Sequence, residues 1–277
     1  MTIKIVTDST ADLPLEVTEE MNINVIPAYI HVGNDSYRDR VNISDEEFYG
    51  RLLDGPEHPK TEPALPEDFA AIYRELGDKA EGIISIHISS KISATCNAAS
   101  RGLKLSGTEC PVEVIDSGSV SMALGLLTIA AAEMVRSGKG YQEIISETNR
   151  MTSNIHILGL FDSLKYLARG GRINRAVNIF GTMLNIKPML TTRDGEVEPA
   201  GHVQRRAAGI NNLYRFVKET NDIVDAAVVY STTPDEAADL ANKIAPLTPQ
   251  VRLAKLGPVM GVHGGPGALF VALRTSS

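Results

Sequence analysis

The sequence predicts an α/β fold in two parts: a parallel, doubly wound N-terminal domain over residues 1–154 and a mixed α+β C-terminal domain over 155–277. Three observations carry this. Branched apolar runs alternate with helical patterns from residue 3 to about residue 150, the order expected of βαβ units and a parallel sheet. Three of these runs end in polar clusters, Asp8-Ser9, Ser89 to Ser93 and Asp116-Ser117, and parallel sheets collect ligands at the C-terminal ends of their strands. From about residue 155 antiparallel signals take over, above all a hairpin turn at Asp194-Gly195.

In chain order, residues 3–6 read as a strand, followed by a polar turn at Thr7 to Thr10, and Asp12 with Pro14 starts a short helix. Residues 23–31 read as a second strand. Ser44 and Glu47 fit a capping box for a helix carrying Phe48 and Leu52. Residues 54–66 hold four prolines and a glycine and read as a loop. Pro66 opens a helix whose Phe69, Ile72, Tyr73 and Leu76 share one face. The central strand, 83–88, is a β-rich apolar run of the length and branching expected of a buried strand. A strand follows at 112–115, then an apolar helix from Val120 and a helix to about Ser153. In the second half, strands are expected at 157–161, 188–203 (two, joined at Asp194-Gly195), 226–230, 251–256 and up to Leu273. Helices are expected at 164–171, stopped by a Gly pair, at 204–219 and at 234–244.

Composition narrows the function. A 277-residue chain with 43% hydrophobic and 22% charged residues is ordinary globular material that can bury a large core. A net charge of −7 argues against a broad nucleic-acid surface, and the absence of Trp leaves few stacking platforms. Cys96 and Cys110 lack metal spacing; Cys96 reads as a small buried helix residue, and both thiols are expected reduced. No His/Glu/Asp cluster has metal spacing, so neither metal nor cofactor is expected. The N-terminus lacks the basic start and apolar region of a signal peptide, and the apolar run at 120–135 is interrupted by Ser121, Thr128 and Glu133. A cytoplasmic location is the expectation.

Two stretches carry chemistry. After the central strand the chain passes through Ser89, Ser90, Ser93 and Thr95 into a small-residue helix. A strand, short loop and helix start gather unpaired N–H groups and a positive dipole end, which suits an anion, with Ser93 or Thr95 adding a hydroxyl donor. The same serines also suit plain helix capping. The second stretch, Gly257 to Gly267, lacks the Lys-Ser/Thr pair of a P-loop and is not expected to precede a helix, so it is a poor nucleotide site. His263 stands alone among its glycines; lone histidines are more often structural, but here the ring is expected to be accessible and titratable. Ser93 and His263 would make a hydrolase pair, without a Gly-x-Ser-x-Gly elbow or a placed Asp.

The segments Val6-Thr-Asp-Ser-Thr-Ala-Asp-Leu-Pro14, Ile92-Ser-Ala-Thr95, Val114-Ile-Asp-Ser117, Ser163-Leu-Lys-Tyr-Leu-Ala-Arg-Gly-Gly-Arg-Ile173, Asn185-Ile-Lys-Pro188 and Gly257-Pro-Val-Met-Gly-Val-His-Gly-Gly-Pro-Gly-Ala268 resemble, in order, those of the DegV family. The resemblance implies a cytosolic fatty-acid-binding protein, a monomer of two α/β domains with a lipid tunnel between them. Such proteins present the bound fatty acid to a fatty-acid kinase, which phosphorylates its carboxylate with ATP. It further implies that Thr61, Ser93 and His263 hold the carboxylate, with Ser9, Thr95, Ser117, Gly261 and Gly264 as a supporting shell. Arg172, Arg205 and Arg206 would dock the kinase, solvated surface charge being the alternative reading of each. The helix from Val120 and the segment 179–190 would line the tunnel. A tail of roughly 14 methylenes at about 0.8 kcal/mol each would contribute on the order of 11 kcal/mol by leaving water. On this reading the protein is a carrier without catalytic machinery. The rivals are a Ser93/His263 acyl-ester hydrolase or acyltransferase, and a binder of another small amphiphile.

Four departures from the family pattern bear on the ligand. Thr61-Glu62-Pro63 stands where Thr-Ser-Gln-Pro is usual, bringing a carboxylate near the proposed carboxylate site. Val262 replaces a Thr before the His, Ala94 a Gly after the central Ser, and Cys96 an aromatic.

Overall fold

A computed structural model describes residues 2–55, 57–172 and 185–276. Strands β1 (Ile3–Asp8), β2 (Ile23–Ile26), β6 (Gly82–His87) and β7 (Val112–Asp116) form an all-parallel sheet in the order β2-β1-β6-β7. Its central strands are apolar on both faces because both are covered. Val6 and Ile83 pack on Phe69 and Tyr73 of α3 (Pro66–Gly77) and Ala98 and Ala99 of α4 (Thr95–Ser106). Ile5, Ile84 and Ile86 face the opposite layer, where α5 (Ser121–Arg136) lies. Helices on both faces explain why β6 is buried along its whole length, its two polar side chains, Ser85 and His87, bonding one another rather than water.

The second sheet has six strands in the order β10-β9-β8-β13-β11-β12: β8 (Ile155–Leu160), β9 (Lys187–Arg193), β10 (Glu196–Val203), β11 (Ile223–Tyr230), β12 (Val251–Lys255) and β13 (Leu269–Thr275). All pairs are antiparallel except β11 with β12. The β9–β10 hairpin turns at Asp194 (φ 50°) and Gly195 (φ 77°), the paired positive φ angles that an Asp-Gly dipeptide supplies. One face of the sheet is covered by α8 (Arg206–Glu219) and α9 (Pro234–Ile244), through Leu213, Val217, Leu240 and Ile244. The other face contributes Ile157, Ala227, Val229, Phe270 and Ala272 to the cluster that contains α5. Helix α5 is therefore enclosed between the two sheets, with every residue from Met122 to Ala132 buried. A helix with no exposed stripe needs no amphipathic pattern, and its buried Thr128 is satisfied within the helix by the Leu124 carbonyl at 2.9 Å. Neither sheet takes strands from both sides of residue 154.

Several local expectations are corrected. Residues 23–31 are two strands in different sheets: β2 ends before Pro27, which has no N–H for a ladder, and β3 (Tyr29–Val32) joins a small antiparallel sheet. That sheet, β4-β3-β5, pairs β3 with β4 (Asp35–Arg38) and with β5 (Lys60–Glu62), so part of the proline-rich 54–66 segment is strand. Asp12 does not cap α1 (Leu15–Met21), whose N-cap is Pro14; at φ 53° it ends a 3-10 turn, Ser9–Ala11. Ser44 Oγ accepts the Glu47 N–H at the start of α2 (Asp45–Asp54), but the Glu47 carboxylate pairs with Arg51, leaving half a capping box. After α6 (Tyr141–Met151) and α7 (Lys165–Arg169), the largest correction is the glycine-rich stretch, which is itself a helix, α10 (Pro258–Gly264). Pro258 takes its first position, and its glycines permit close packing: a Cβ on Gly261 would meet the Phe48 and Tyr49 rings at 2.7 Å.

Candidate functional site

A cavity lies between the two sheets. Its apolar wall comes from both halves of the chain: Ile88, Ile92 and Val120 from the first, Ile157, Phe161, Leu167, Leu190, Val197, Val259, Met260 and Phe270 from the second. Of α5 and its cap only Val120 reaches it; the rest of that helix is spent in the core, contrary to the expectation that it lines a tunnel. From the other expected segment Leu190 lines the wall, while residues 179–184 lie outside the described residues.

Polar groups meet in this cavity. Helix α10 carries His263 and β5 carries Thr61, and Thr61 Oγ1 lies 2.9 Å from His263 Nε2. Gly170, at the end of α7, seats the ring so closely that a Cβ there would stand 2.1 Å from Nδ1. The glycine pair that reads as a helix stop thus also seats the imidazole. Burial pushes His263 down to about 3, and Arg172 and His58 add to the effect by disfavouring a second positive charge. The ring is neutral and enclosed, not the accessible titrating group expected. A neutral imidazole has one N–H. If Nε2–H donates to Thr61, the threonine hydroxyl proton is left for a ligand, and Nδ1, which has no partner, remains a bare acceptor.

Ser93 and Thr95 also line the cavity, their hydroxyl oxygens 2.8 Å apart. One donates to the other, which again leaves one hydroxyl proton uncommitted. The capping alternative fails here, because α4 has Ala94 at its N-cap and no side-chain cap bond. Arg172 is the one cation among the described lining residues, held by a 2.6 Å bond from Nη1 to the Gly170 carbonyl.

Other expected site residues go elsewhere. Ser9 Oγ accepts the Ala28 N–H at 3.1 Å, Ser117 bonds within its own turn to Ser119, and Gly261 faces Phe48 and Tyr49; none lines the cavity, whereas Gly264 does. Arg206 is not a surface docking group: it pairs with Glu236 at 2.7 Å and Asp162 at 2.9 Å and donates to the Gly267 carbonyl. Arg205 is exposed. Thr10, Thr191 and Thr192 line the cavity without having been expected to; nothing local to the sequence marks them, since they are turn and strand threonines brought in by the packing of the sheets.

The departures from the family pattern fall mostly outside the cavity. Val262 is wholly buried in a cluster with Ile30, Phe48 and Leu52, one position round the helix from His263, so its missing hydroxyl changes nothing at the ligand end. Glu62 is the one anion in the lining, and its Oε2 lies 3.3 Å from His31 Nε2 across β3 and β5. Cys96 Sγ points to the Ile88 carbonyl, and burial pushes its thiol up to about 12, so it is no nucleophile.

The hydrolase reading finds no geometry. Ser93 and His263 are each bonded to a threonine rather than to one another. A Ser-His-Asp sequence of hydrogen bonds does exist elsewhere: Asp8 Oδ2 to His87 Nδ1 at 2.9 Å, and His87 Nε2 to Ser85 Oγ at 2.7 Å. The Tyr73 hydroxyl donates to Ser85, Ser85 and His87 are fully buried, and none of the three lines this cavity. It ties the sheet to α3. Among the described residues no group of His, Cys, Asp or Glu could hold a metal, and no helix is long and apolar enough to cross a membrane.

Comparison with known proteins agrees with this geometry. The family profile described as "Uncharacterised protein, DegV family" matches residues 2–275. A DegV domain-containing protein of Streptomyces coelicolor is 32% identical over 279 residues, covering 99% of this chain and 98% of its own. A DegV family protein from Thermus thermophilus, whose structure is described as fatty-acid-binding, superposes with a TM-score of 0.92 at 30% identity, over 99% of this chain and 100% of that one. DegV of Bacillus subtilis, described as a fatty acid binding protein, superposes with a TM-score of 0.91 at 29% identity over the whole of both chains.

Proposed function

Because the chain belongs to the DegV family, we propose that it binds a long-chain fatty acid in the cavity between its sheets and presents the carboxylate to a fatty-acid kinase. The observation that carries the reading is an apolar cavity in which Thr61, His263, Ser93, Thr95 and Arg172 supply its polar donors. An acyl tail supplies affinity by leaving water but little direction. The headgroup supplies direction: a buried carboxylate costs several kcal/mol unless it is hydrogen-bonded and faces positive charge. The spare hydroxyl protons of the Thr61–His263 and Ser93–Thr95 pairs provide the bonds, and Arg172 the charge. A bound carboxylate beside His263 would oppose the desolvation that keeps the ring neutral, drawing its pKa upward. Glu62, the nearest repulsive group, is drawn toward His31.

On this proposal the chain is a carrier in two domains, 1–154 and 155–277, acting as a cytoplasmic monomer. Arg172 and the exposed Arg205 face the kinase; Arg206 has no part, being committed to Glu236 and Asp162. Thr61 and Ser93 give the carboxylate their hydroxyl protons, and His263 orients Thr61 and becomes a donor itself once the bound carboxylate draws a proton onto its ring, with Thr95 and Gly264 behind them. The test is mass spectrometry of an organic extract of the natively purified protein. A stoichiometric fatty acid that disappears in the Ser93→Ala, His263→Ala double variant, with the fold intact, is expected. Unchanged lipid in that variant would overturn the site assignment.

A further inference from the structure

A second cleft shares no lining residue with the cavity above. It is bounded by α1, by the segment from Asp39 to Glu46, and by residues of β2 and β12, the outermost strands of their respective sheets. Of the eight large aliphatic residues exposed among the described ones, four line this cleft: Leu15 (68% exposed), Val25 (37%), Val41 (63%) and Leu253 (42%). Single exposed aliphatics are ordinary, but four around one cleft make a patch of the kind that marks an interface.

The floor of the cleft is acidic and incompletely paired. Asp12, Asp39 and Asp45 face a single guanidinium, that of Arg40. Arg40 Nε bonds Asp45 at 3.2 Å, and Nη2 is committed to the Lys255 carbonyl at 2.6 Å. Asp12 accepts the Gly257 N–H at 2.8 Å and the Ser121 hydroxyl at 2.6 Å, so both its oxygens are satisfied. Asp39 is 2% exposed, and its Oδ1 has no hydrogen-bond partner. The nearby Lys255 ammonium is spent on Glu46 at 2.6 Å. Burial pushes both Asp12 and Asp39 up to about 7, against the pull of Arg40 on both and, at Asp39, of hydrogen bonds from Ser9 and the Val259 backbone.

We propose that this cleft docks a segment of a partner protein carrying a lysine or arginine between aliphatic residues, the cation pairing with Asp39 and the flanks covering Leu15, Val25, Val41 and Leu253. The two outer strands offer unpaired backbone groups to which an extended chain can add. Charge complementarity fixes the sign: Asp8, Asp12, Glu16, Asp39, Asp45 and Glu46 outnumber Arg40 and Lys255 in the lining, so a basic segment fits it. This inference is independent of the fatty-acid reading, because no residue it uses holds the lipid.

The test selects a displayed library of random peptides on the purified full chain, then measures the binding of the enriched peptides. Enrichment of sequences with Lys or Arg flanked by aliphatics is expected. Asp39→Asn should weaken these at least about thirtyfold, the equivalent of losing one member of a buried charge pair. Because Asp39 is buried, Val41→Glu is the second variant: it alters only an exposed rim, should abolish peptide binding, and should leave the retained lipid unchanged. Peptides without a basic residue, binding that survives both variants, or no enrichment would each overturn the proposal. A self-associated protein that Val41→Glu disperses would assign the cleft to a second copy of the chain and overturn it too.

Discussion

Gly170→Ala is a small change with a large expected consequence. Gly170 has φ −76°, a conformation alanine adopts freely. Gly→Ala at such a site usually stabilises by about 0.4–1 kcal/mol through the unfolded state. Here the new methyl would stand 2.1 Å from Nδ1 and 2.7 Å from Cε1 of His263, where ordinary contact needs 3.4 Å or more. The ring must retreat by about 1 Å, and its 2.9 Å bond to Thr61 cannot survive a shift of that size. The broken bond costs about 0.5–1.5 kcal/mol in the lipid-free protein, enough to cancel the entropic gain. The lipid suffers more. A carboxylate bond to an aligned donor contributes about 1.5–3 kcal/mol, so fatty-acid affinity should fall about ten- to a hundredfold. The assay is fatty-acid titration of delipidated protein, with thermal unfolding in parallel. The expected pattern is a nearly unchanged Tm with greatly weakened binding. Wild-type affinity in the Ala variant would refute the argument that Gly170 seats the imidazole.

Other predictions follow from individual groups. Asp12 sits at about 7 in the fold against 3.8 when unfolded, so between about pH 4 and 7 the folded protein holds a proton that the unfolded chain releases. Its contribution to stability is therefore lost as pH rises through that window, and Asp12→Asn should gain on the wild type by a few kcal/mol from pH 4 to 7 in urea melts; a constant difference would contradict the raised pKa. His263 runs the other way: lowered to about 3 from 6.5, it is protonated first in the unfolded chain, so stability of lipid-free protein falls as pH drops from about 6.5 toward 3. His263→Gln should flatten that acid limb. Gly102→Ala places a Cβ 2.4 Å from the Phe69 Cβ and 2.6 Å from the Pro66 carbonyl where α3 crosses α4, and should cost about 1–3 kcal/mol, read as a lowered Tm. Arg172→Ala should reduce both fatty-acid retention and acyl-phosphate yield when a fatty-acid kinase and ATP are added, whereas Arg206→Ala should lower Tm without changing the affinity of the folded protein for fatty acid.

Much of the molecule was legible in local pattern. The parallel strands β1 and β6 announce themselves by their density of branched apolar residues, because both faces of the sheet are covered there, whereas the edge strand β7 alternates Val112-Glu113-Val114. The Asp194-Gly195 hairpin is legible because two consecutive positive φ angles admit few other residue pairs. Boundaries failed where context overrode pattern: β5 is three residues among prolines, visible only once β3 is beside it, and α10 is a helix in spite of its glycines, with Gly261 packed on Phe48 and Tyr49 and Gly264 on Leu256. Ser93 is marked by the strand, loop and helix start and His263 by its glycines, but only the family resemblance joins them to Thr61, and the spacing of the three carries no sign that they meet.

By itself the sequence determined the two-part α/β architecture, the enclosed helix α5 and the polar strand ends, since these follow from periodicity and turn chemistry within a few residues of one another. Tertiary structure alone decided what the site residues do. Thr61 and His263 are bonded across 202 positions in the chain, and Val262 enters the core while the next side chain enters the cavity. Packing also turned Ser9 and Ser117 to local bonds and committed Arg206 to an ion-pair network. The physical reason is desolvation: whether a histidine is neutral, an arginine available or a carboxyl short of a partner depends on which distant groups exclude water from it, and that is fixed only when the sheets close on one another.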